Sequence, residues 1–205
     1  MPPSQRIGAV IWDVGNVIVR WNPRTLYSQI FPDPAECDRF LSHVCTMDWH
    51  LATDRGVSFA DNCAALVARF PQYADEIEAW QTRWWDMFSG VIPETEAAIE
   101  ALHEAGVPQF VLSNMSTETF DGTFAMSPAF KRIAGQVISG REGVLKPHPA
   151  IFRLASERFG LAPHEALFVD DGAHNTDAAK ALGFHTHHFT DPAALRPALE
   201  AAGLL

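Results

Sequence analysis

Short apolar runs that end abruptly at polar residues recur along this chain, and they constrain the fold more than any other feature of the sequence. Residues 7–12 form such a run, which stops at Asp13. The pattern returns at residues 110–112, 137–138 and 166–169, where the runs stop at Ser113, Ser139 and Asp170. Short runs without polar alternation are typical of strands buried on both faces that emerge into a loop at their polar end.

Helical patterns separate these runs. Residues 94–105, 149–159 and 173–182 have helical spacing, and each pattern is followed by a glycine, a common residue where a helix ends. Because strand and helix alternate, the sequence predicts an α/β fold, with a parallel sheet and helices on both of its faces.

The stretch from about residue 23 to residue 91 interrupts this alternation. It contains no apolar strand run, and its spacing predicts helices at residues 24–30, 35–50, 59–69 and 74–88. We therefore expect two parts, an α/β core formed by residues 1–20 and 92–205 and an inserted all-helical module formed by residues 21–91. Within the module, Trp80, Trp84 and Phe88 recur at helical spacing, which favours the core face of a helix over a ligand platform.

Composition narrows the possible partners. The 205 residues carry a formal net charge of −10, which repels nucleic acid and anionic membrane surfaces, so we expect neither as a partner. The three cysteines are odd in number and lack metal-site spacing, which indicates free thiols in a reducing compartment. With no leader pattern and no long apolar segment, the expected location is the cytoplasm.

The polar residues that follow the strands point to a chemistry. In an open parallel sheet, ligands bind beyond the carboxyl ends of the strands, and Lys146 lies in a further loop of the same region. A carboxylate can attack phosphorus to form an acyl phosphate, while clustered carboxylates call for a hard cation such as Mg²⁺. An ammonium and a hydroxyl would neutralise and bind the phosphoryl oxygens. The residues concerned are Asp13, Ser113, Asn114, Lys146, Asp170 and Asp171.

The same residues resemble the four ordered motifs of the haloacid dehalogenase (HAD) superfamily. The matching segments are Trp12-Asp13-Val14-Gly15-Asn16-Val17, Leu112-Ser113-Asn114, Leu145-Lys146-Pro147 and Phe168-Val169-Asp170-Asp171-Gly172. The resemblance covers nearly the whole chain, and it implies a Rossmann-like core whose site is closed by a helical cap. It further implies Asp13 as nucleophile, Ser113 and Lys146 on the phosphate, and Asp171 as the main metal ligand. Asp13, the carbonyl of Gly15 and Asp170 would complete the metal site.

Position 15 departs from the pattern of the family's phosphatases. Those enzymes usually have a second aspartate there, which protonates the leaving oxygen and whose backbone carbonyl ligates Mg²⁺. Gly15 keeps the carbonyl but lacks the acid, a group typically worth about 10²–10⁴-fold in rate. The sequence Asp-x-Gly-Asn resembles a branch of sugar-phosphate phosphatases that includes the glucose-1-phosphate phosphatase group, whose substrate has a good leaving group.

Three functions are therefore weighed. The sequence favours a Mg²⁺-dependent phosphomonoester hydrolase acting on a small phosphorylated metabolite. A metal-independent 2-haloacid dehalogenase also lacks the second aspartate, but Asp170 and Asp171 would repel its anionic substrate. A catalytically idle HAD-fold binding protein is the third. The chain is expected to act as a monomer or a homodimer.

Further substrate contacts are expected from the turn after the first strand and from the cap. Asn16 either contacts substrate or satisfies the tight turn. Trp49 and the segment Asp54-Arg55-Gly56 interrupt a helical pattern, and resemblance to family caps implies that a loop here can face the active site, so Arg55 and Trp49 are candidate substrate residues. The histidines His185, His187 and His188 are expected to be structural, because strand alternation puts only two of them on one face.

Overall fold

A parallel five-stranded sheet forms the centre of the larger part of the molecule. The computed structural model describes residues 6–205, and its sheet has the strand order β5-β4-β1-β6-β7. All four neighbouring pairs in the sheet are parallel. The strands are β1 (Ala9–Trp12), β4 (Gln109–Ser113), β5 (Gly135–Ile138), β6 (Ala166–Asp170) and β7 (His185–His188). This arrangement confirms the predicted α/β class.

The first strand of the chain lies in the middle of this sheet, between β4 and β6. Every residue of β1 and of β6 is buried, as expected for central strands covered on both faces. The helices of this part are α6 (Pro93–Glu104), α7 (Phe120–Phe124), α8 (Ser139–Glu142), α9 (Pro149–Phe159), α10 (Ala173–Ala181) and α11 (Leu195–Ala201). Apolar clusters on the two sides of the sheet include Trp12 on one side and Phe168 on the other.

The inserted module is mainly helical. Its helices are α1 (Pro23–Ile30), α2 (Pro34–His43), α3 (Met47–Asp54), α4 (Phe59–Val67) and α5 (Ala74–Thr82), followed by a 3₁₀ turn at Trp84–Met87. Where the chain leaves and re-enters the core, β2 (Val19–Trp21) and β3 (Phe88–Val91) pair as an antiparallel ribbon. The sequence pattern did not predict this ribbon.

Two of the predicted cap helices are wrong in length. The helix predicted at residues 35–50 is two helices, because Val44 leaves the helical conformation and Thr46 caps α3 by accepting a hydrogen bond from the Trp49 amide. The helix predicted at residues 74–88 ends at Thr82. The aromatic stripe follows the prediction only in part: Trp80 and Trp84 belong to the apolar core of the module, but Phe88 lies in β3, is partly buried and lines a cleft together with Trp84.

The module touches the core through the loop at residues 54–56. The Ser139 hydroxyl donates to the backbone carbonyl of Asp54 at 2.6 Å. Gly56 has φ +100°, and a Cβ there would lie 2.9 Å from the carbonyl oxygen of Gly140. Only glycine fits both the left-handed backbone and this close approach. The module therefore covers the carboxyl ends of the strands, and we refer to it as the cap.

Two further observations concern the cysteines and the length of the helices. Cys37, Cys45 and Cys63 are buried free thiols, as predicted. Within the described residues, no helix is both long and apolar enough to traverse a membrane.

Candidate active site

Asp13 lies at the carboxyl end of the central strand β1, and its carboxylate is held asymmetrically. The Val14 amide at 2.7 Å, the Ser113 hydroxyl at 2.8 Å and the Lys146 ammonium at 2.9 Å all contact Oδ1. Among the described residues no hydrogen bond reaches Oδ2. Asp13 is buried yet lines a cleft between core and cap. One oxygen therefore orients the side chain while the other remains free for a ligand.

Lys146 joins the two buried carboxylates of the site. Its Nζ lies 2.9 Å from Asp13 Oδ1 and 2.6 Å from Asp170 Oδ2. Burial tends to lower the pKa of this ammonium, but Asp13 and Asp170 outweigh burial and raise the pKa above its usual value. The lysine therefore stays charged.

Asn114 positions Lys146 through the backbone. Its Oδ1 accepts from the Lys146 amide at 2.8 Å, and its Nδ2 donates to the Lys146 carbonyl at 3.0 Å. Asn114 was predicted as a substrate residue; although it lines the cleft, these contacts make it a support for the lysine. The sequence pattern could not reveal this pairing, because the two residues belong to different loops.

Asp170, at the end of β6, has both carboxylate oxygens occupied. Its Oδ1 accepts from the Gly172 amide at 2.8 Å and from Asn175 Nδ2 at 2.9 Å, while Oδ2 contacts Lys146. Burial acts to raise the pKa of Asp170, but Lys146 and these donors hold it below its usual value. The sequence analysis did not predict a role for Asn175. Its position could have suggested one, because it lies in the first turn of α10, directly after the loop that carries Asp170 and Asp171.

Asp171 is the exposed member of the acidic group. Burial of part of its carboxyl group and the charge of Asp170 raise its pKa, while a hydrogen bond from the Asn16 side chain lowers it. Asn16 has φ 55°, and its Oδ1 also accepts from the Trp21 amide at 3.1 Å. Asn16 therefore closes the turn after β1 and reaches Asp171.

Three carboxylates converge around one buried ammonium. Asp13, Asp170 and Asp171 each offer an oxygen, and these oxygens lie within 4.8 Å of one another. Burial first, and then the charges of Asp170 and Asp171, raise the pKa of Asp13 to about 7 despite the opposing effect of Lys146. The excess of negative charge favours a cation here, and oxygen donors of this kind are those that Mg²⁺ prefers.

The cap forms the opposite wall of the cleft, which encloses about 260 Å³. Its lining residues from the cap and the adjoining ribbon include Trp21, Met47, His50, Leu51, Asp54, Trp84 and Phe88. The wall is therefore largely apolar and aromatic. Asp54 is the one carboxylate that the cap adds to it, and Gly15 also lines the cleft on the core side.

Two predicted cap residues do not line this cleft. Trp49 turns into the cap, where its indole Nε1 donates to the Asn62 carbonyl at 3.2 Å and its ring meets Trp80 edge to face at 5.1 Å. Arg55 is exposed and lines a separate cavity beside the loop that carries Lys146. The structure therefore does not bring these two side chains into the cleft beside Asp13: Trp49 packs in the apolar core of the cap, and Arg55 is exposed at the end of α3.

The three strand histidines do not belong to the carboxylate cluster. His185, His187 and His188 lie on the edge strand β7, and His188 Nε2 contacts the Asp171 carbonyl at 2.9 Å. Among residues 6–205, the only group of three or more potential metal ligands is that of Asp13, Asp170 and Asp171.

A Rossmann-like core, a helical cap and a carboxylate–lysine cluster at the ends of β1 and β6 define a class of capped α/β hydrolases. The chain belongs to the haloacid dehalogenase-like hydrolases, a family that matches residues 7–183. This membership confirms the resemblance found in the motifs.

Similar proteins within the family carry different activities in their names. The (S)-2-haloacid dehalogenase 4A of Burkholderia cepacia is 30% identical over 155 residues, which cover 72% of this chain and 61% of that protein. The phosphoglycolate phosphatase of Escherichia coli (strain K12) is 32% identical over 95 residues, 45% of this chain and 37% of the phosphatase. The chain thus spans less than two thirds of either relative.

A solved structure shares the fold over nearly its whole length. It is a HAD-family enzyme of Bacteroides thetaiotaomicron in complex with magnesium and inorganic phosphate. The TM-score is 0.69 at 19% identity, with 92% of this chain and 98% of the other covered.

Proposed function

We propose that this protein is a Mg²⁺-dependent phosphomonoester hydrolase that acts on a small phosphorylated metabolite through an aspartyl-phosphate on Asp13. The observation that carries the proposal is the unequal hydrogen bonding of the two oxygens of that carboxylate. Three donors hold Oδ1, Oδ2 accepts no hydrogen bond among the described residues, and Asp13 lines the cleft within a cluster of three carboxylates. A free, oriented oxygen is what attack on phosphorus requires.

The donor set fits a magnesium ion. Asp13, Asp171 and the backbone carbonyl of Gly15 would hold it, with Asp170 beside them bound to Lys146. Three clustered carboxylates with a single buried ammonium leave negative charge uncompensated. When bound, Mg²⁺ supplies the positive charge that an incoming phosphate dianion needs in an acidic cleft.

The residues of the chain itself have separate tasks in this proposal. Asp13 attacks phosphorus with Oδ2, and Lys146 holds Oδ1 while its charge favours the phosphoryl group. Ser113, which donates to Asp13, is close enough to the nucleophile to bind a phosphoryl oxygen. Asn114 and Asn175 keep Lys146 and Asp170 in place.

The substrate is expected to be small and partly apolar. A cleft of about 260 Å³ lined by Trp21, Trp84 and Phe88 accommodates a small phosphorylated metabolite, and aromatic walls suit the faces of a sugar ring. The motif Asp13-Val14-Gly15-Asn16 supports a sugar phosphate of the glucose-1-phosphate type within the proposal. We further propose a reducing, cytoplasmic setting, on the three buried free thiols, and neither nucleic acid nor membrane as partner.

Metal-independent 2-haloacid dehalogenation is the second candidate, because a relative of that name aligns over 72% of this chain. The acidic cluster argues against it. A haloacid carboxylate entering beside Asp13, Asp170 and Asp171 without a cation would meet like charges in a poorly solvated cleft.

A substrate screen with and without MgCl₂ tests the proposal. The expected result is phosphate release from small phosphorylated metabolites that requires Mg²⁺ and is abolished in Asp13→Asn. Chloride release from 2-chloropropionate without metal would replace the proposal by the dehalogenase. A wild-type protein that turns over neither class of substrate would favour a binding protein.

A thermal-shift titration with MgCl₂ tests the metal site independently of activity. The melting temperature of the wild type should rise with Mg²⁺, as for any ligand that binds the folded state. Asp171→Asn should lose this rise, whereas the control Asp177→Asn, an exposed aspartate on α10, should keep it. An equal rise in both variants would contradict the proposed ligand set.

A further inference from the structure

The proposed phosphatase reaction lacks one group on the core side of the cleft. When the ester bond to phosphorus breaks, an alkoxide leaving group needs a proton, and Gly15 has no side chain to supply it. In an in-line displacement the leaving oxygen departs on the side of phosphorus opposite the nucleophile. Asp13 approaches from the core, so the leaving oxygen faces the cap.

Asp54 is the carboxyl group on that side. It is the last residue of α3, it is 6% exposed, and it lines the same cleft as Asp13 and Ser113. Among the described residues, no lysine or arginine forms an ion pair with Asp54. The imidazole of His50 lies beside it, with Nε2 3.7 Å from Asp54 Oδ1. Burial of a carboxylate without a cationic partner costs free energy, so the neutral acid is the more stable form of such a group.

Core residues contact the backbone around Asp54. The Ser139 hydroxyl donates to the backbone carbonyl of Asp54 at 2.6 Å. Directly behind it, Gly56 packs against the carbonyl of Gly140. These contacts join segments far apart in the chain, so the position of Asp54 depends on the docking of the cap.

The charged and titratable groups around Asp54 favour its protonated form. Burial first, and then the charge of Asp13, raise its pKa to about 7, while Lys146 and Arg55 oppose them. His50 lies beside it on α3, and burial lowers the pKa of that imidazole to about 4, so the ring is neutral near pH 7. A group with a pKa close to the working pH both gives and takes a proton efficiently.

We propose that Asp54 of the cap is the proton donor of the hydrolysis, in place of the acid that is absent at Gly15. The inference rests on the proposed phosphatase function. In the first step, Asp13 Oδ2 bonds to phosphorus, the ester P–O bond breaks, and the proton of Asp54 passes to the leaving oxygen to form the alcohol. In the second step, water attacks the aspartyl-phosphate and gives its proton to the Asp54 carboxylate. Phosphate leaves, and Asp13 and Asp54 return to their starting states.

The experiment compares Asp54→Asn with the wild type on two leaving groups. Asn is isosteric with Asp but has no carboxyl proton to donate. The release of alcohol from an alkyl phosphate in the first turnover should fall about 10²–10⁴-fold. The release of nitrophenolate from p-nitrophenyl phosphate, which leaves without a proton, should persist, and phosphorylated Asp13 should accumulate because the second step lacks its base.

Controls separate this role from a structural one. Asp48→Asn, at an exposed position of the same helix, should match the wild type on both substrates. A melting temperature for Asp54→Asn near that of the wild type excludes unfolding as the cause. Equal losses on both leaving groups, or no loss on either, would overturn the inference. A wild-type protein without any phosphatase activity would instead refute the proposed function itself.

Discussion

Removal of the charge of Lys146 is the most informative perturbation of the site. Its ammonium lies 2.9 Å from Asp13 Oδ1 and 2.6 Å from Asp170 Oδ2. All three side chains are buried. Lys146→Met keeps much of the length of the side chain but removes its positive charge. The carboxylates of Asp13 and Asp170 are then left close together in a poorly solvated site without a counter-charge. Breaking a buried pair from one side costs about 3–5 kcal/mol, since the remaining charge is uncompensated.

The expected loss is large enough to measure directly. For a chain of this size, about 1 kcal/mol shifts the melting temperature by roughly 2–4 °C, so Lys146→Met should melt roughly 6–20 °C below the wild type near neutral pH. Urea unfolding in EDTA, followed by far-UV circular dichroism, reports the helices of both core and cap. Lys131→Met, at an exposed lysine, is the matched control and should stay within about 0.5 kcal/mol of the wild type.

The pH dependence gives the reasoning a second test. In the wild type the pKa of Asp170 is held below its usual value. Its pairing therefore stabilises the fold above the unfolded-state pKa, and the stabilisation is lost as pH falls through the folded-state pKa. In Lys146→Met the lysine no longer opposes burial, so the pKa values of Asp13 and Asp170 rise, and that variant loses stability as pH rises. The difference in unfolding free energy between wild type and variant should increase from about pH 5 to about pH 8. A variant as stable as the wild type at the higher pH, or a difference that does not change with pH, would refute the pairing of Lys146 with the two carboxylates.

Three other predictions concern a close backbone contact in the core and two residues of the cap. Gly140→Ala should destabilise the protein by about 1–3 kcal/mol in urea unfolding, because its Cβ would lie 2.7 Å from the carbonyl oxygen of Met115 and backbone cannot yield; unchanged stability would contradict this close packing. Asp54, with a pKa raised to about 7, favours the folded state fully at low pH, and this contribution is lost as pH rises through about 7. Asp54→Asn should therefore flatten the stability profile between about pH 4 and 8, and a profile parallel to that of the wild type would argue against a buried acid. Trp49→Phe should lower the unfolding free energy by about 1–3 kcal/mol, through the lost hydrogen bond to Asn62 and lost ring volume, yet leave KM unchanged; a raised KM would return Trp49 to the substrate site.

Four strands of the sheet, the polar residues that follow them and the family could be predicted from the sequence. These features are readable because they are local. A strand buried on both faces must be apolar throughout, so the first polar residue marks where it reaches solvent. Asp13, Ser113 and Asp170 each follow such a run, and parallel strands bring their carboxyl ends to one edge. The grouping of these three side chains follows from these two rules.

The contacts between those side chains could not be predicted from the sequence. Asp13 Oδ1 meets a hydroxyl 100 residues away, and the Ser139 hydroxyl meets the Asp54 carbonyl 85 residues away. No local pattern encodes such contacts, because they depend on how the cap settles on the core. The same packing turned Trp49 into the cap, faced Arg55 outward and brought Asp54 into the cleft. A pattern of neighbouring residues records which side chains can be buried, whereas burial against a particular partner is the outcome of packing the whole chain.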